Sequence, residues 1–216
     1  LAVPVTSTAS AEEPPSVVSG ERAESHEPGQ PVHRLPAIGE VEGGAVAGCG
    51  DGSGLRIAVA CSRFNGQVTR LLLAGALAEL DRCGVAEADR TVVFVPGAFE
   101  LPLAAMTMAG THGFDAVVCL GAVIRGETSH YDFVAGQCAA GLQRVQLDMN
   151  LPVVFGVLTT ENLEQALARA GGALGNKGTE AAATAIEMAT LLRQLANAPD
   201  APPEAGLAAH PRAAAG

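Results

Sequence analysis

Apolar positions in the middle of the chain follow two alternating periods. Leu55-Arg56-Ile57-Ala58-Val59-Ala60 is a short, nearly continuous apolar run, the signature of a strand buried on both faces. Between Gly66 and Cys83, the residues Val68, Leu71, Leu72, Leu73, Ala76 and Leu80 recur at helical spacing, and Gly84 supplies the stop. The alternation then repeats with a strand at Thr91 to Val95, a helix containing Leu101 to Met108, a strand at Ala116 to Leu120, and a helix over Tyr131 to Leu147. Val153 to Leu158 reads as the fourth strand. Thr160 is the expected N-cap of a helix over Glu161 to Ala170, with Glu161 complementing its dipole and Gly171 ending it; a last helix covers Gly178 to Leu195. Strands that are apolar on both sides and separated by helices predict an α/β fold, with a parallel sheet covered on both faces. In such folds ligands sit beyond the carboxyl ends of the strands.

The flanks break the pattern. Residues 1–54 hold eight acidic and two basic residues, six prolines and a Gly-rich run from Gly43 to Gly54. They read as a disordered arm ahead of a domain at 55–196, with a flexible Pro- and Ala-rich tail at 197–216. No apolar run reaches the roughly 18 residues of a membrane span, so a soluble protein without a membrane partner is expected. The formal charge of −10 argues against nucleic acid as a partner, because counterion release needs clustered Lys and Arg. Cys49, Cys61, Cys83, Cys119 and Cys138 form no C-x-x-C pair, which favours reduced thiols over a disulfide framework or zinc site. The acidic opening segment lacks the apolar core of a secretory signal and is unlike an intact transit peptide. A cytoplasmic location is expected, or the plastid stroma if the arm is a processed remnant.

Chemistry-bearing residues follow every strand. After the first comes Ser62-Arg63-Phe64-Asn65, after the second Pro96-Gly97-Ala98-Phe99-Glu100, after the third Gly121 to His130, and after the fourth Thr159-Thr160-Glu161-Asn162. The third loop nearly matches a nucleotide-binding P-loop, but Glu127 stands where the pattern needs Lys, which disfavours a nucleoside triphosphate. Successive backbone N–H groups at Gly126, Glu127 and Thr128 can still hold a single phosphate. The glycines from Gly48 to Gly54 miss dinucleotide spacing and precede a strand instead of following one.

Four ordered segments carry a specific resemblance: Arg63-Phe64-Asn65, Pro96-Gly97-Ala98-Phe99-Glu100, Gly121 to His130 with its continuation Tyr131-Asp132, and Gly175-Asn176-Lys177-Gly178. Together they resemble the motifs of the lumazine synthase family over about residues 55 to 195. The resemblance implies a flavodoxin-like three-layer sandwich with a central four-stranded parallel sheet flanked by helices. It implies condensation of 5-amino-6-(D-ribitylamino)uracil with 3,4-dihydroxy-2-butanone 4-phosphate to give 6,7-dimethyl-8-ribityllumazine, phosphate and water. Imine formation, phosphate elimination and ring closure would proceed with no metal or redox cofactor. Expected partners are the small-molecule substrates, further copies of the chain in pentamers that build icosahedral shells in many members, and riboflavin synthase.

His130 is the candidate proton carrier, since imidazole exchanges protons near neutrality and each step moves protons. A lone histidine is more often structural, and the convergence of loop motifs reverses that preference here. His26, His33, His112 and His210 have no comparable setting. Phe64, in a chain without Trp, suits stacking on a flat pyrimidine, against the alternative of a core aromatic. By resemblance Asn65, Ala98, Phe99 and Glu100 bind the pyrimidine and ribityl chain, and Val123 and Ile124 line the pocket through the main chain. Glu100 is equally well read as a first-turn acid facing a helix dipole. Gly126, Glu127 and Thr128 would form a phosphate site completed by Arg169, whose alternative is a solvated cation at a helix end. Lys177 matches a lysine near the pyrimidine carbonyls, and Phe155 a residue contributed by a neighbouring subunit. Arg125 fits a structural and a site-rim role equally. Two competing classes remain, a flavin-binding protein without catalysis and a purely structural shell protein, and turnover separates them from the enzyme.

Overall fold

A computed structural model describes residues 46–197; the first 45 residues of the expected arm, and its tail beyond Asn197, lie outside them. Four parallel strands, β1 (Ile57–Ser62), β2 (Arg90–Val95), β3 (Ala116–Ile124) and β4 (Val153–Thr160), form one sheet in the order β2-β1-β3-β4. Between and after them run α1 (Gly66–Arg82), α2 (Leu101–Gly110), α3 (His130–Met149), the short α4 (Leu163–Ala168) and α5 (Lys177–Ala196). No helix among the described residues is long and apolar enough to cross a membrane.

The two-residue period of a strand explains the layers. Ile57, Val59 and Cys61 point to one face, where Leu72 and Leu80 of α1 and Ile186 of α5 cover them. Ala58 and Ala60 point to the other, against Leu101 and Ala105 of α2 and Leu142 of α3. Both faces of the central strands are therefore apolar because each has its own helical layer, as the sequence pattern requires. The result is the expected three-layer α/β sandwich.

Four boundaries differ from those read in the sequence. Strand β3 continues through Gly121, Ala122, Val123 and Ile124, pairing with β4 as far as Ile124 opposite Thr160. Gly121 thus belongs to a buried strand, where an added Cβ would lie 3.3 Å from Leu101, Ser62 and Val157, and the supposed P-loop glycine is a packing residue. Thr160 is the last residue of β4 and not a helix cap; Asn162 takes that role, its side chain accepting the Gln165 N–H at 2.9 Å. Helix α4 also stops at Ala168, because Ala170–Gly172 (β5) folds back antiparallel on Gly175–Asn176 (β6). Finally, the described end of the arm is docked: Cys49 N–H donates to Thr190 Oγ1 at 2.9 Å and Gly52 N–H to the Cys83 carbonyl at 2.7 Å. The folded unit therefore begins before Leu55.

Candidate functional site

The strand order reverses direction between β1 and β3, and the crevice beyond their carboxyl ends is where such sheets bind ligands. Asn65 spans it. Held with φ 56°, it starts α1, and its Nδ2 donates to the Ala122 carbonyl on β3 at 2.8 Å. Its side chain therefore fixes the crevice and lines neither of the cavities described below. Just before it, the Arg63 and Phe64 N–H groups donate to the Val95 and Pro96 carbonyls at 2.9 and 3.0 Å. These bonds hold the Phe64 backbone while its ring stays 69% exposed, which excludes the core reading of this residue.

After β2, Ala98–Glu100 forms a 3-10 turn that leads into α2. The Gly97 N–H donates to Glu100 Oε2 at 2.9 Å, so one carboxylate oxygen secures the turn. Glu100 Oε1 has no hydrogen-bond partner among the described residues, and the residue is exposed. The turn-securing reading of Glu100 is thus met by one oxygen, and the other faces the crevice without a partner among the described residues. Phe99 projects at 57% exposure. After β3, the exposed turn from Gly126 to Ser129 delivers His130 as the first residue of α3.

These three segments surround a cavity of about 680 Å³, the size of a small-molecule site. Phe64, Ala98, Phe99, Glu100, Val123, Ile124, Gly126, Thr128 and His130 all line it, joined by Tyr131, Phe133 and Val134. Glu127 is exposed and outside this lining. The carboxylate, hydroxyl and imidazole groups are the polar features of an otherwise largely apolar wall.

Phe155, Arg169 and Lys177 are elsewhere. They line a second cavity of about 440 Å³ between β4 and α5, together with Thr160, Glu180 and Thr184. Lys177 Nζ donates to both carboxylate oxygens of Glu180, at 2.9 and 2.7 Å. Arg169 caps the end of α4, its Nη1 donating to the Gln165 carbonyl at 3.1 Å, which leaves its other N–H groups for the cavity. The two linings share no residue. The first contains neither Lys nor Arg, whereas the second contains one of each.

Several lining residues escaped the sequence reading. Glu180 was detectable from its i,i+3 spacing to Lys177, a favourable helical pair. Phe133 and Tyr131 carried a weaker signal, since aromatics on an amphipathic helix first suggest core packing. Lys177 itself is positioned by Asn176, whose Oδ1 accepts the Gly178 N–H at 2.8 Å to cap α5, while its Nδ2 donates to the Leu71 carbonyl of α1 at 2.9 Å.

The family model described as 6,7-dimethyl-8-ribityllumazine synthase matches residues 54–193. The chain is also similar to the 6,7-dimethyl-8-ribityllumazine synthase of Protochlamydia amoebophila (strain UWE25), at 55% identity over 140 residues, which covers 65% of this chain and 81% of that protein. The match spans the whole sheet and the elements lining both cavities, from β1 to α5, and by it the chain belongs to the 6,7-dimethyl-8-ribityllumazine synthase family.

Proposed function

We propose that the two cavities are complementary parts of one active site, brought together where two copies of this lumazine synthase meet. The enzyme condenses 5-amino-6-(D-ribitylamino)uracil with 3,4-dihydroxy-2-butanone 4-phosphate to 6,7-dimethyl-8-ribityllumazine, the penultimate step of riboflavin biosynthesis. The division of the lining carries the proposal. A flat pyrimidine calls for an aromatic face and a phosphorylated ketone for a cation, and neither cavity of a single chain has both beside a proton carrier.

In this reading Phe64 stacks on the pyrimidine, Phe99 and Ala98 bound its edge, and Glu100 Oε1 accepts hydrogen bonds from ribityl hydroxyls. Val123 and Ile124 form the wall. Thr128 and the backbone N–H groups of Gly126 and Glu127 hold the phosphate from one chain, and Arg169 of the adjoining copy supplies the charge-assisted contact. Phe155 and Lys177 of that copy close the pyrimidine side. The amine attacks the ketone and water is lost as the imine forms. A proton leaving carbon then allows the carbon–oxygen bond to phosphate to break, and the ribitylamino nitrogen closes the ring with loss of water. His130 moves these protons, and holding both substrates in one geometry removes much of the entropic barrier.

The exposed rings of Phe64, Phe99 and Phe133 beside the first cavity support a neighbour that covers it. The contact joins two different surfaces of the chain, a heterologous arrangement that generates a ring where its rotation closes, and the family resemblance supports a ring of five. The compact β5–β6 connection, like that of shell-forming members, supports further assembly of pentamers into an icosahedral shell. The full chain incubated with both substrates should accumulate the lumazine, followed by its absorbance. No product at any concentration of the two would overturn the assignment.

A further inference from the structure

Resting on the assignment of His130 and its preceding turn to the reacting cavity, we propose that Arg125 is a positioning residue that clamps the first turn of α3 to the junction of β4 and α4. Arg125 directly follows β3, and its N–H donates to the Thr160 carbonyl at 2.8 Å, adding one bond to the end of the β3–β4 pairing. Its guanidinium then divides between two elements. Nε donates to Glu161 Oε1 at 3.1 Å, and Nη2 donates to Asp132 Oδ1 at 3.1 Å. The Cζ atom lies 4.0 Å from the centroid of the Tyr131 ring.

Exposed ion pairs ordinarily contribute little, because two mobile side chains must be ordered for one contact. Here one rigid, planar fork makes two carboxylate contacts and an aromatic stack at once, so the ordering cost is shared. The turn that leads into α3, from Gly126 to Ser129, has few restraints of its own. Nothing lies within 4 Å of where a Gly126 Cβ would be, and the α3 N-cap Ser129 makes no side-chain capping bond. The His130 N–H donates to Thr128 Oγ1 only at a long 3.4 Å. The placement of His130 therefore depends on what holds the next two residues: the Asp132 N–H donates to the Ser129 carbonyl at 3.0 Å, Tyr131 packs against the core, and Arg125 ties both to the end of β4. The same guanidinium is a poor phosphate ligand, since two carboxylates around one cation leave the trio with net negative charge.

Arg125→Ala in the full chain is expected to lower kcat for lumazine formation about tenfold, within the ~10²-fold that a 1 Å misplacement costs. The KM for the pyrimidine should stay within about twofold of wild type, since the pyrimidine contacts are untouched. Amide hydrogen exchange over residues 129–133 should quicken in the same variant, a readout independent of turnover. Arg125→Lys keeps the charge but loses the fork, so it should restore only part of the lost kcat. Should Arg125→Ala fail to assemble, Asp132→Asn carries the same measurements. Unchanged exchange over 129–133 overturns the proposal. So do equal losses in kcat and both KM values, the mark of a general structural role, and so does full recovery by Lys. A wild-type chain that formed no lumazine would instead sink the functional assignment, and the exchange result would still decide the clamp.

Discussion

His130 begins α3 with an exposed side chain that makes no hydrogen bond among the described residues. Its removal should therefore leave the fold intact. His130→Ala is expected to lower kcat by something on the order of the 10²-fold typical of a lost acid–base group. Thermal unfolding should shift little, because surface substitutions away from caps and cores usually stay within about 0.5 kcal/mol. Steady-state kinetics indistinguishable from wild type would take His130 out of the mechanism. What singles this residue out in the sequence is its company: an imidazole directly after a turn rich in backbone donors. Arg125 was illegible for the opposite reason. Its partners Asp132 and Glu161 lie 7 and 36 positions away, and only the end of the β3–β4 pairing brings them to one guanidinium. Glu100 stayed ambiguous because a sequence does not show which oxygen of a carboxylate is engaged, whereas the folded chain commits Oε2 to the Gly97 N–H.

At the scale of elements, the crossing of α1 and α5 sets where Lys177 enters the second cavity. The helices approach so closely that a Cβ on Gly178 would lie 1.9 Å from the Leu72 carbonyl oxygen. That obstacle is backbone, so the helices must part. Gly178→Ala is expected to destabilise the protein by roughly 1–3 kcal/mol, the range for overpacking, and to weaken the Asn176 bridge to Leu71. Gly110→Ala, with nothing within 4 Å of the added atom, serves as the control and should stay within about 0.5 kcal/mol. Equal unfolding temperatures for the two variants would show that the crossing tolerates a methyl group. The sheet and its four long helices were legible because buried strands and amphipathic helices impose different apolar periods. The strand ends were not. Gly121 reads as a loop glycine and Thr160 as a cap until the pairing of β3 with β4 carries both into the sheet. The β5–β6 pair is too short to show any period, and it turns on Gly171 at φ 111° and Gly175 at φ 75°.

For the whole molecule, the decisive quantity is how many chains one active site requires. The cavity with His130 contains no Lys or Arg, and the cavity with Arg169 and Lys177 contains no histidine, so the proposed site, which joins a flat ring to a phosphorylated ketone beside a proton carrier, draws on the two together. If adjoining copies supply them, two inactive variants must rescue one another. His130→Ala chains retain Arg169, and Arg169→Ala chains retain His130. When equal amounts are dissociated and reassembled at random in a ring of heterologous contacts, about one quarter of the junctions pair an intact His130 with an intact Arg169. Mixed assemblies should therefore recover about a quarter of wild-type activity, well above the roughly 10²-fold reduced activity of the His130→Ala parent. Native mass spectrometry of the mixture establishes that the copies have exchanged. Exchanged assemblies with no activity above either parent would show that each chain carries its own complete site. Loss of activity on simple dilution is a weaker test, because in the proposed assembly uncovering the apolar surface around Phe64, Phe99 and Phe133 would also remove stabilisation of the fold.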